Sequence, residues 1–151
     1  MKKSKIIQDL QDLLSDGLSG IKYIGRDWGQ LAYDHPPVRW PCVLIDIEQV
    51  EPRPLSDLNE HDDAIVVLTV ANQRIASGSS TSPQASKEKS VETLDLTDDV
   101  HLLVRNYAAP GAEYNALQFL SFNKVYGYPG IEAYAMRYKT RYNVAASNDE
   151  P

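Results

Sequence analysis

Cys42-Val43-Leu44-Ile45-Asp46-Ile47-Glu48-Gln49-Val50 alternates with a period of two: Val43, Ile45 and Ile47 fall on one face, Asp46 and Glu48 on the other. Side chains that alternate sides mark a strand with one buried face. Further on, Ala64-Ile65-Val66-Val67-Leu68-Thr69-Val70-Ala71 is apolar on both faces and β-branched, which fits a central strand. The two form an antiparallel pair that nucleates a sheet. Between them Glu51 to Asp63 holds two prolines and a cluster of acids, and reads as an exposed connection.

Outward from that pair, Ile6, Ile7, Leu10, Leu13, Leu14 and Leu18 recur at three and four residues and predict an amphipathic helix of about four turns. Ser4 is placed to cap its start and Gly17 to end it. Ile21 to Ile24 is a short extended segment. Gly25 to Pro41, with Pro36-Pro37, is a loop held down by Trp28, Tyr33 and Trp40. On the other side, Ser77 to Ser86 is low in complexity and too polar to offset the entropy of ordering, so a mobile loop is expected over 77–87. Val91, Leu94, Val100, Leu103, Val104 and Tyr107 form a second helical stripe. It starts near Lys87 or breaks at Thr97, where Asp98 and Asp99 would sit at a helix N-terminus; one continuous helix gives Val91 and Leu94 a partner. Ala116 to Tyr126 is extended and apolar, Gly127-Tyr128-Pro129-Gly130 is a turn, and Ile131 to Val144 alternates strictly. In that last strand Tyr134, Met136, Tyr138, Tyr142 and Val144 share one face, and Arg137, Lys139 and Arg141 the other. The expectation is one α+β domain over 1–146, a mainly antiparallel sheet of four or five strands packed with two helices, and a disordered tail over 147–151.

Composition narrows the function classes. The 151 residues are 42% hydrophobic and 24% charged, with a net charge of -6 and a single cysteine. That size sustains its own core, one cysteine excludes a disulfide framework or a multi-cysteine metal site, and no apolar run reaches membrane-spanning length. The lysine-rich start lacks an uninterrupted apolar stretch, because Asp9, Asp12 and Asp16 break it, so a cytoplasmic protein without membrane association is expected. Residues 40–76 carry two Lys/Arg and seven Asp/Glu, which places most of the acidity there. Arg137, Lys139 and Arg141 are a thin footprint for phosphate neutralisation, so no specific nucleic-acid binding is expected.

Asp34-His35, His61-Asp62-Asp63 and Asp98-Asp99 with His101 match no ligand spacing of known geometry and read as solvated charge. Cys42 reads as a core residue, and no glycine-rich phosphate loop is present. No catalytic, metal or cofactor residue is assigned. The opposed stripes Asp46/Glu48 and Arg137/Lys139/Arg141 can pair within one chain, or between copies in a head-to-tail contact. Tyr126, Tyr128, Tyr134, Tyr138 and Tyr142 crowd the terminal hairpin, where tyrosine suits an interface or a half-buried sheet face alike. Asp46, Glu48, Arg137, Lys139, Arg141 and Tyr128 are the candidate interface residues.

The order of these elements resembles the tail terminator proteins of long-tailed bacteriophages and related prophage elements. The resemblance is carried by the first helix, Pro-Cys-Val-Leu-Ile-Asp-Ile at 41–47, and the long strand at 65–71. The polar Ser-rich loop follows, then Leu-Asp-Leu-Thr-Asp-Asp-Val-His-Leu-Leu-Val at 94–104 and Tyr-Ala-Met-Arg-Tyr at 134–138. It implies a non-enzymatic virion structural protein without cofactor. Such a protein forms a homo-oligomeric ring such as a hexamer, caps the tail tube, and joins it to a head-completion protein at the head-tail junction. A head-completion or neck protein has much the same organisation. A small enzyme or ligand-binding domain using the aromatic loop 25–41, with Asp34 and His35, is the reading from a different class.

Overall fold

Strand β2, Cys42–Arg53, pairs antiparallel with β3, His61–Gln73, and β3 pairs antiparallel with β5, Ile131–Asn143. β4, Gln118–Val125, adds to the far side of β5, and the short β1, Tyr23–Arg26, adds parallel to the start of β2. Among the described residues the sheet order is therefore β1-β2-β3-β5-β4, five strands with one parallel pair. The computed structural model describes residues 1–53, 61–74 and 78–143. The expected α+β class holds, in a single domain; Ser77, Val144 and the tail 147–151 lie outside the described residues.

Even-numbered residues of β3 and β5 face the helices. Val66, Leu68, Met136 and Tyr138 are buried there together with Val43 and Ile45 of β2. Helix α1, Ser4–Gly17, lays Ile6, Leu10 and Leu14 on this face, and helix α3, Glu92–Val104, adds Val100 and Val104. The two helices meet where Gly17 has no side chain: a Cβ there would sit 2.6 Å from Leu103 Cδ1. The other sheet face is covered at one end only. A 3-10 turn, Gln30–Ala32, places Leu31 over Cys42, Leu44, Ala71 and Ala133, and Val38, Trp40 and Tyr128 close in around them.

Several local expectations change. β2 and β3 are longer than the alternation alone indicates, because Glu51, Pro52 and Arg53 pair with Asp63, Asp62 and His61; only residues 54–60 of the acidic connection lie outside the described residues. Ser4 does not cap α1. Lys3 is already helical in its backbone, and Lys5 N–H bonds the Lys2 carbonyl (3.0 Å), so Ser4 sits inside the first turn. Among the described residues three α-helices stand where two were expected. α2, Gln84–Ser90, starts within the Ser-rich segment and ends where the Ser90 hydroxyl donates to the Lys87 carbonyl (2.6 Å). The break falls at Val91, while the helix runs unbroken through Thr97.

The stripe on α3 is also rotated. Val91 and Leu94 are exposed, whereas Thr93 and Thr97 are buried. A buried threonine is tolerated because its hydroxyl returns a hydrogen bond to the preceding turn, as Thr97 does to Leu94. Glu92 and Asp95, and not Asp98 and Asp99, occupy the first turn, where acids favour the helix dipole. In the loop, Trp40 turns inward as expected, but Trp28 and Tyr33 stand on the surface, and Leu31 with Gln30 takes the buried place. Gln30 can be buried because its side chain accepts from Trp28 N–H (2.8 Å) and donates to the Arg26 carbonyl (3.0 Å).

Candidate assembly interface

Beyond the end covered by Leu31, the same sheet face is open and charged, because odd-numbered residues of β5 alternate away from the helices. Arg137 faces Glu48 across the sheet, and its Nε and Nη2 donate to the two carboxylate oxygens, each at 2.9 Å. The guanidinium holds the Glu48 carboxyl below its ordinary range, and the carboxylate raises Arg137 in turn. Both side chains are at least 30% exposed, so solvent screens most of this attraction. Asp63 is 3% exposed and receives two cations, Arg141 Nε at 3.1 Å and Lys139 Nζ at 3.5 Å. Asp46 faces Arg26 of β1 at 3.6 Å.

Five of the six candidate residues thus lie on one sheet face, and their charges pair within one chain. Tyr128 lies apart, in the turn before β5, against the Leu31 cluster. That turn forms as expected: Ile131 N–H bonds the Tyr128 carbonyl (3.1 Å), and Gly130 takes the positive φ (72°) that the position demands.

Among the described residues, histidine and carboxylate side chains do not converge. His35 and Asp34 are exposed after the edge-to-face pair Trp28 and Tyr33, whose centroids are 5.5 Å apart. His61 pairs in β3, and His101 Nδ1 lies 2.7 Å from the Tyr138 hydroxyl. No group of three or more metal-ligating side chains occurs among the described residues, and none of their helices is long and apolar enough to cross a membrane. Burial pushes the Cys42 thiol up to about 12, so it remains protonated at neutral pH and is no nucleophile there.

The surface feature that periodicity did not single out is β4. Both phenylalanines of the chain, Phe119 and Phe122, lie on this edge strand and are 47% and 42% exposed; Leu120 between them is 49% exposed. Phe119 packs edge-on to His101, and Phe122 stacks on Tyr134. Leu120 is the extra residue of a bulge, since Phe119 pairs with Tyr138 and Ser121 already with Arg137. The sequence shows only an apolar stretch without strict alternation; the edge position that exposes it is set by the strand order.

No protein-family profile matches the chain, and no curated protein does. Among solved structures, one similar chain belongs to the virion of a native gene transfer agent (GTA) particle. The likeness has 10% sequence identity and a TM-score of 0.44, over 89% of this chain and 84% of that one.

Proposed function

We propose that this protein is a non-enzymatic structural component of a phage or prophage-derived virion, of the tail terminator kind. It assembles into a ring at the head-tail junction, caps the tail tube, and offers a second surface to a head-completion protein. The observation that carries this reading is the apolar edge strand β4, where Phe119, Leu120 and Phe122 are all more than 40% exposed. Free-standing proteins shield sheet edges with charge, proline or a covering segment, and an edge left apolar fits a protein that works as part of an assembly. The resemblance in element order to tail terminators names the assembly.

Native mass spectrometry of the chain, followed by addition to polymerising tail tube protein of the same phage element, tests the reading. The expected result is a discrete ring and tubes that stop growing when it is added. A chain that stays monomeric and leaves tube growth unchanged overturns it. The neck-protein alternative differs in one outcome, binding to the head side with no effect on tube length.

A further inference from the structure

We propose that β4 of one copy docks along the outer side of β2 of the next, so that one sheet continues from subunit to subunit. This deepens the assembly reading and rests on it. β1 covers β2 only from Cys42 to Ile45; one further bond, from Asp27 N–H to the Ile45 carbonyl (2.9 Å), ends that cover. From Asp46 to Arg53 no strand pairs with this side of β2 among the described residues. That length matches the eight residues of β4. The directions agree as well. β3 runs against β2, β5 against β3 and β4 against β5, so a neighbouring copy in the same orientation presents its β2 antiparallel to β4. Helices of both copies then lie on the same side of a continuous sheet.

Both faces of the joint are matched. On the helix side, β4 carries Phe119 and Phe122, which pair with Tyr138 and Met136 of the helix-facing set. The neighbour offers there a groove of about 560 Å³ between α1 and β2, with Ile7, Ile47 and Val50 half-buried along it. On the other side, Ser121 and Asn123 of β4 would meet Asp46, Glu48 and Gln49, polar against polar. A two-fold joint of β4 with β4 would leave this acidic side and its groove uncovered. The contact is therefore heterologous, the kind that closes into a ring when its rotation permits.

Disulfide trapping between variants that each add one cysteine tests the joint. Leu120→Cys and Gln49→Cys lie on opposite edges of one subunit, so they cannot link within a chain. Mixed under mild oxidation they should give linked dimers, neither alone should do so, and a chain with both substitutions should give a ladder of higher species. Cys42 is buried and does not compete. Linking by Leu120→Cys alone, as efficient as in the mixture, overturns the joint in favour of a two-fold β4 contact. If the unmodified chain assembles by native mass but the mixture does not link, the assembly reading stands and the joint falls. If the chain stays monomeric to millimolar concentration and nothing links, the joint falls, and the assembly reading falls with it when tube growth is also unchanged. Leu120→Glu, with its fold checked by circular dichroism, places an acid against an acidic neighbour and should weaken self-association about tenfold or more; unchanged association overturns the joint.

Discussion

β3 and β4 belong to one sheet and are both rich in apolar side chains, yet they have opposite fates. β3 lies between β2 and β5, and its Val66, Leu68 and Val70 have no exposed surface. Among the described residues β4 has a strand on one side only, and its Phe119, Leu120 and Phe122 remain nearly half in contact with solvent. The same residue types therefore contribute to different equilibria. In β3 they stabilise the folded chain, since apolar area leaves water on folding. In β4 much of that area stays wet until a partner covers it, so its contribution falls on association.

The largest expected effect breaks the comparison from the β3 side. Leu68→Ala removes a fully buried side chain between α3 and the sheet and leaves a cavity, so it should cost about 3 kcal/mol of stability. Urea unfolding followed by circular dichroism measures it; a loss under about 1 kcal/mol would show that β3 is not the centre of the core.

Next comes the charged end of β3. Asp63→Asn keeps the size of a buried side chain but removes the charge that Arg141 and Lys139 approach, and should cost about 2 kcal/mol. Glu48→Gln should cost less than about 1 kcal/mol, because the exposed Arg137 pair is screened. The Glu48 pair also has a pH signature. Arg137 lowers the carboxyl pKa in the folded chain, so its stabilisation is present above the ordinary value of 4.5 and disappears as pH falls through the lowered one. The gap between the urea midpoints of the unmodified chain and Glu48→Gln should accordingly be open at pH 7 and close on acidification below 4.5.

These strands also mark how far the sequence could be read. Alternation in 42–50 and in 131–144 gave the faces of β2 and β5, because pleat geometry leaves a chain little choice there, and the two-sided apolar run at 64–71 marked β3 as central without assigning its faces. The pairing of Glu48 with Arg137 was within reach of the same argument. A bulge between Ile47 and Gln49 was not, since one unpaired residue leaves composition unchanged. Nor was the helix break at Val91, which depends on where the Ser90 hydroxyl finds a carbonyl. The loop failed for another reason: Trp28 has more apolar area than Leu31, but position over Cys42 and Leu44 decides burial, and position is tertiary information. An edge strand is likewise defined only by what lies beside it, so the exposure of β4 could not be read from its residues.

The smallest effect on folding sharpens the comparison most. Leu120 projects from a bulge at the sheet edge, and nothing is left unsatisfied when it becomes serine, so Leu120→Ser should change the urea midpoint of the isolated chain by no more than about 0.5 kcal/mol. Its consequence belongs to assembly. Sedimentation over a concentration series should show the variant shifted toward monomer, while Leu68→Ala, measured where it remains folded, keeps the self-association of the unmodified chain. If Leu120→Ser instead destabilised the monomer as much as Leu68→Ala, the edge would be part of the folding core, and the division between the two strands would not hold.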